Sequence, residues 1–277
     1  MMRRSSVFLV LVPLLAACGA KESGLASAPG AMKDAGSSRV ELRLVGAKEA
    51  FVGSGAIDYA HERGHLVITD ESEGSLIPGG QMEGRFLGKT TYFSWNFFDE
   101  RHWVKQTDDA PSGTDLLIPG LGGPSPDRLL GLLIKSSKEI EGLGNEEIRG
   151  VSTKHYRAHV DPKKLGDDAY PSRSELLVDA WVDGDQLVRR LRVPEEGEDG
   201  GATVIDFFDF GVEVDVEAPP ADQVVSDEEF MTLLEKWCKA QPKEADNELC
   251  GFGIGEAGGG EVETGKIETT PVETEKK

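Results

Sequence analysis

The chain has 277 residues, with 50 Asp plus Glu against 30 Lys plus Arg and a formal net charge of −20. Charged residues make up 29% and hydrophobic ones 38%, which excludes both a membrane-embedded bundle and a wholly unfolded chain. Such acidity repels phosphate backbones, so no nucleic-acid partner is expected, and 5 His with 3 Cys exclude a cysteine-rich zinc module or disulfide-dense mini-scaffold.

The first element is a short basic segment with Arg3 and Arg4, followed by an apolar run from Val7 to Ala17. As a helix that run rises only ~16 Å, about half of a hydrocarbon core, so it predicts a cleaved secretory signal over residues 1–17 rather than a permanent span. It ends Leu15-Ala16-Ala17-Cys18, which looks like a bacterial lipobox, with cleavage before a cysteine that receives diacylglycerol. Two acyl chains hold a protein to a bilayer where one is marginal, so Cys18 is the expected anchor to the outer face of the cell membrane. Residues 18–38 are Lys, Glu, Ser, Gly, Ala and Pro with little to bury, and read as a lipidated tether.

From Arg39 the pattern becomes period two, with Val40, Leu42 and Leu44 alternating with Arg39, Glu41 and Arg43, as in a half-buried strand. Further strands are predicted at Gly55–Ala60, Leu66–Thr69, Met82–Leu87, Thr91–Trp95 and His102–Thr107, separated by turns such as Arg63-Gly64, Pro78-Gly79-Gly80 and Gly88-Lys89. A Gly/Pro-rich loop over 111–124 leads to a helix with Ser125 as N-cap, Pro126 at its first position and Asp127 facing its positive end. Leu129, Leu130, Leu132, Leu133 and Ile134 fill more than one stripe, so this helix should be enclosed or face a ligand.

Strands resume at Lys154–Val160, Glu175–Val182 and Gln186–Val193, the last two joined by Asp183-Gly184, and Thr203–Glu217 shows a long alternation ended by Pro219-Pro220. About ten strands surround one apolar helix, in a domain spanning 39–225. Ser226-Asp-Glu-Glu229 is a capping box for a C-terminal helix over 226–251 with Phe230, Leu233, Leu234 and Trp237 on one face. Cys238 and Cys250 are expected to pair in an exported protein, closing the 11 residues between them and contributing about 3 kcal/mol in the chain-entropy model. Residues 252–277 are Gly, Glu, Thr and Lys, the composition of a disordered tail.

Candidate chemistry is sparse. His61-Glu62-Arg63-Gly64-His65 spells the zinc-protease motif, but that motif needs a helix, and here Gly64 and a strand pattern on both sides favour a hairpin. His155, Arg157 and His159 share a strand face, where the arginine opposes a metal and either a solvated face or cross-strand pairing with Asp or Glu is expected instead. Gly53-Ser54-Gly55 lacks nucleophile-elbow spacing, and Gly120 to Gly123 lacks the lysine of a phosphate loop. No catalytic residues, cofactor or metal are expected.

Three stretches, Gly150-Val-Ser-Thr-Lys-His-Tyr-Arg-Ala-His-Val-Asp161, Trp181-Val-Asp-Gly-Asp-Gln-Leu-Val-Arg-Arg-Leu-Arg192, and Asp209-Phe-Gly211 with Ala218-Pro-Pro-Ala-Asp222, resemble the actinobacterial LppX/LprG-type lipoproteins. Gly64 with Leu66, and Trp103-Val-Lys105 ahead of the leucine-rich helix, fit the same order, and LolA-like and LolB-like carriers are wider relatives. The resemblance implies an α+β fold, a curved antiparallel half-barrel with helices across its open side. It also implies an apolar cavity for acylated lipid or lipoglycan, for transport or presentation without catalysis, and a transporter or envelope protein as partner. The cavity-facing positions form no motif; the strand and helix pattern alone nominates Phe86, Phe93, Trp95, Leu129, Leu132 and Leu133. The polar segment before Arg39 leaves little room for a long first helix, which predicts a shortened lid. The competing reading is a sensor or scaffold lipoprotein that binds a protein and no lipid.

Overall fold

Alternating apolar residues from most of the chain build one sheet, and two helices cover its apolar face. The computed structural model describes residues 23–45, 51–71, 80–96, 102–107, 126–165, 173–194 and 201–240. The signal segment, Cys18, the loop at 111–124, Cys250 and the tail lie outside these residues.

The first described element corrects the expected tether. Helix α1 (Ser23–Ala35) occupies most of 18–38, and Leu25, Ala28 and Met32 are each 1% exposed or less. Their spacing of three and four residues puts them on one face. Gly24, Pro29 and Gly30 make this a poor helix by propensity, so burial of that face is what holds it. Gly36, at φ +80°, ends the helix by donating to Lys33 O at 3.1 Å, a left-handed cap that residues with a Cβ adopt only under strain.

Strands β1 (Ser37–Val45), β2 (Phe51–Asp58), β3 (Arg63–Asp70), β4 (Gln81–Leu87), β5 (Thr90–Trp95) and β6 (Trp103–Thr107) run antiparallel to their chain neighbours. Helix α2 (Pro126–Ser136) follows, then β7 (Ser137–Ile148), β8 (Val151–Val160), β9 (Leu176–Val182), β10 (Val188–Pro194) and β11 (Ala202–Phe208). A two-residue β12 (Val224–Val225) pairs parallel to β6 and leads into α3 (Asp227–Ala240). The order β12-β6-β5-β4-β3-β2-β1-β11-β10-β9-β8-β7 forms one curved twelve-stranded sheet that does not close. This is the expected α+β half-barrel, with twelve described strands where the pattern suggested about ten.

Most strands bury alternate residues on the face that carries α1 and α2, called the inner face here. Val40 and Leu42, Leu66 and Ile68, Val178 and Ala180, and Ile205 and Phe207 join Leu25, Met32, Leu129, Leu130 and Leu133 in one core. Helix α1 packs on α2 and reaches β1 and β9, while α2 rests on β8. Leu132 and Ile134 are partly buried at the margin of that core, so α2 is enclosed on most sides as its sequence requires.

Three further expectations need correction. The alternation over Thr203–Glu217 is not one strand: β11 ends at Phe208, and the chain turns at Asp209 (φ +49°) and Gly211 (φ +79°). Val214 and Val216 are buried against Ala56 on the outer face, which explains the period-two pattern without sheet pairing. Strand β7 was not anticipated, because its apolar residues Ile140, Leu143 and Ile148 follow no period of two among Glu139, Glu141, Glu146 and Glu147, and most of the strand is exposed. The third concerns α3, placed outside the domain over 39–225: Phe230 meets Trp95 of β5 in a tilted pair at 4.9 Å between ring centroids, and Leu234 is buried.

Candidate functional site

The inner face is where the pattern placed ligand contacts. Register sets Trp95 opposite Met82, Phe93 opposite Gly84 and Thr91 opposite Phe86, so Phe86, Phe93 and Trp95 all point to this face. Phe86, Leu129 and Leu133 meet in the main core, with Trp95 and Leu132 packed at its margin. Phe93 is buried beside Trp95, with ring centroids 6.2 Å apart. Gly64 belongs to the same packing: a Cβ there would lie 2.5 Å from the Phe86 ring and 2.6 Å from the Ala56 carbonyl oxygen. The glycine inside the zinc-like motif therefore makes room for an aromatic ring.

That motif forms a hairpin. The turn runs over 59–62 between β2 and β3, with Glu62 at φ +52°, so Arg63 and Gly64 begin β3 rather than make the turn. Asp58 accepts from the His61 backbone at 3.0 Å and from Arg63 Nε at 3.2 Å, and lies 2.8 Å from His61 Nδ1. Burial opposes its ionisation, but these partners hold the carboxyl below its ordinary range. Burial pushes His65 down, and it pushes the Tyr59 phenol up. Among the described residues no group of three or more His, Cys, Asp or Glu could hold a metal ion.

The outer face carries a ladder of charges. Asp206 is 1% exposed and is held by Arg190 Nη2 at 2.8 Å and Arg43 Nη2 at 3.0 Å. Burial would raise its carboxyl, yet those guanidinium groups keep it depressed, and Arg190 is raised in return. Asp179 accepts two bonds from Arg157, at 2.8 and 3.2 Å. His155 sits between Asp179 Oδ1 at 3.1 Å and Glu146 Oε1 at 3.0 Å, and stacks on Trp181 at 4.2 Å. Trp181 Nε1 donates to Glu146 at 2.9 Å, which with His155 holds that carboxyl below its usual range. The expected cross-strand pairing of His155 and Arg157 is thus present. With both carboxylates fully engaged by arginines and both ring nitrogens occupied, this ladder joins strands rather than moving protons.

Hollows lined by described residues lie at the rim and on the outer face. One of about 460 Å³ is bordered by Asp58, His61 and Arg63, and one of about 350 Å³ by His65, Glu83, Arg85 and Asp215. The largest of these three, about 540 Å³, opens at the start of α1 beside Asn145, Lys154, Tyr156, Asp183 and Gln186. Its residues were not singled out from sequence. The available signal was Tyr156, which shares the apolar parity of Ala158 and Val160 yet carries a hydroxyl.

No family model matches the chain. It is 26% identical over 153 residues to an uncharacterized 31.2 kDa protein encoded in the rplA–rplJ intergenic region of Streptomyces griseus, across 47% of this chain and 50% of that one. The chain thus spans about half the length of the curated relative it matches. Among solved structures it is similar to the Mycobacterium tuberculosis lipoprotein LppX, at 16% identity and a TM-score of 0.46, covering 71% of this chain and 100% of that one. It is similar to LprF from Mycobacterium bovis at 15% identity and a TM-score of 0.45, covering 72% and 96%. LppX gives its name to the group that the sequence resembles, and at these identities the likeness concerns the fold. Among the described residues no helix is long and apolar enough to cross a membrane.

Proposed function

We propose that this protein is an extracytoplasmic lipoprotein, anchored to the outer face of the cell membrane through Cys18, that binds an acylated lipid or lipoglycan for transport or presentation and catalyses nothing. The observation that carries this reading is the unclosed sheet whose inner face is apolar and spanned by α1 and α2. Acyl chains are accommodated by apolar, largely preformed sites with few polar groups. Phe86, Phe93, Trp95, Leu129, Leu132 and Leu133 are the proposed contacts, with Leu132 and Trp95 at the margin where a chain would first enter. Because Phe86, Leu129 and Leu133 are packed together, loading requires α1 and α2 to lift from the sheet.

The test is native mass spectrometry of the full chain with organic extraction, after expression in a lipid-rich actinobacterial host. A stoichiometric acyl lipid is expected, with less retained in Leu133→Asp; a lipid-free protein that stays empty with added lipids would overturn the reading. Cys18→Ala should move the protein from the membrane to the soluble fraction. A second reading, binding of an envelope protein without lipid, is favoured by one feature: β7 is an edge strand whose residues 141–147 are all exposed. Edge strands offer unpaired backbone groups to a partner chain. Capture of the same partner by parent and Leu133→Asp, with no lipid in either, would establish it.

A further inference from the structure

We propose that the hollow at the start of α1 is a phosphate site, which takes the anionic headgroup of an amphiphile whose chains lie on the inner face. The proposal rests on the lipid-binding reading only for the source of the phosphate; the site itself stands on its own geometry.

Strand β8 changes character along its inner face. Val160 and Ala158 are apolar and buried, and the next three residues of the same parity are Tyr156, Lys154 and Ser152. Alternate residues of a strand are spaced by about 6.6 Å, so three hydrogen-bond donors follow the apolar floor in a row. All three line the hollow of about 540 Å³. Tyr156 is 3% exposed, and among the described residues its hydroxyl has no hydrogen-bond partner although it opens on this hollow. A hydroxyl that opens on a polar hollow is free to donate to an acceptor that comes from outside. Lys154 Nζ lies 5.1 Å from the Tyr156 ring centroid, so the cation and the phenol serve the same space.

Helix α1 supplies the other wall. Its second residue, Gly24, lines the hollow, and a Cβ there would overlap the Tyr156 hydroxyl. The first turn of this thirteen-residue helix thus borders the row of donors. Ser27 Oγ donates to Gln186 Oε1 at 2.7 Å and fixes this helix end to the turn between β9 and β10. One carboxylate borders the site. Asp183 is already occupied by the backbone amides of Asp185 and Leu187, each at 2.9 Å, and by Arg189 Nε at 2.6 Å. Its charge is therefore answered inside the turn and leaves Lys154 to set the sign of the hollow. If Cys18 is the anchor, five residues reach at most about 17 Å to Ser23, which keeps this end of the fold near the headgroup layer.

The experiment uses the full chain in dodecyl maltoside micelles, which carry no phosphate, titrated with inorganic phosphate, with short-chain phosphatidylglycerol and with short-chain diacylglycerol. Phosphatidylglycerol is expected to bind, and Tyr156→Phe and Lys154→Gln each to weaken it by about tenfold or more, as for loss of a charge-assisted hydrogen bond. Diacylglycerol should bind parent and variants alike. Inorganic phosphate bound alone and weakened by the same variants would support the site and identify a free phosphate as its ligand. Failure of both phosphate probes to bind, or equal binding by parent and variants with unchanged thermal midpoints, overturns the proposal. Lipid extraction from the same variants separates this from the carrier reading: lipid retained without phosphate discrimination sinks the site alone, and phosphate binding without extractable lipid sinks the carrier alone.

Discussion

Asp206 on β11 is an anion 1% exposed in the middle of the outer face, and its stability depends on Arg190 and Arg43 from the flanking strands. Removing the charge leaves three guanidinium groups, those of Arg190, Arg43 and, at 3.7 Å, Arg149, facing a neutral amide, while their own side chains, 28%, 33% and 38% exposed, can still turn to water. Asp206→Asn should therefore cost about 2–3 kcal/mol, the lower end for breaking a buried pair, measured by urea unfolding. Gly64 is a steric rather than an electrostatic case. Gly64→Ala pushes a methyl group into the Phe86 ring and the Ala56 carbonyl, and should cost about 1–3 kcal/mol as an overpacked core does. Pairing it with Phe86→Leu should recover part of the loss; an unchanged midpoint in Gly64→Ala would remove the steric explanation. The sequence alone recognised that Gly64 did not belong in a catalytic helix. It could not show which ring the glycine accommodates, because Phe86 lies 22 positions away and meets it only through the pairing of β3 with β4.

Helix α1 shows where reading by element stopped. Ser, Gly, Ala and Pro dominate Ser23–Ala35, and propensity alone gives a linker. Leu25, Ala28 and Met32 are few, but each is almost fully buried on α2 and the sheet, and that burial outweighs the propensity. Leu25→Ala and Met32→Ala should each destabilise by about 2–4 kcal/mol in urea unfolding, where substitutions in a tether would change nothing. The helices α2 and α3 were legible because each carries local signals: Pro126 and Asp127 in the first turn of one, and the Ser226–Glu229 capping box of the other. In that box Ser226 N donates to Glu229 Oε2 at 2.9 Å, and Glu229 N donates to Ser226 Oγ at 3.2 Å. Strand β7 lacks any such signal, since Ile140 and Ile148 are too far apart to show a period of two along a mostly exposed acidic strand. Cys238 lies on α3, and a bridge to Cys250 remains our proposal for how the end of this element is held. Alkylation of the denatured protein should label neither cysteine before reduction and both after it; labelling without reduction would refute the bridge.

At the scale of the molecule, acidity shapes stability. Asp206 and Asp58 both titrate below their ordinary range in the folded protein because arginines and backbone donors hold them ionised. A depressed folded pKa gives stabilisation that is complete above the unfolded value, near 4, and is lost as pH falls through the folded values. The thermal midpoint should therefore change little from neutral pH to about pH 5 and fall below about pH 4, with a shallower acid decline in Asp206→Asn. An equal decline in both proteins would assign acid sensitivity to net charge alone.

The alternation of apolar residues by itself determined that the chain builds an antiparallel sheet with an apolar face, because side-chain parity is a local property of extended backbone. The same locality made the enclosed α2 and the capped α3 readable. Only the tertiary structure decided that 23–35 is a helix and that 212–217 lies over the outer face instead of within the sheet. It also placed the Tyr156 hydroxyl beneath Gly24. Each of these depends on burial against residues distant in the chain, an energy that no window of sequence contains.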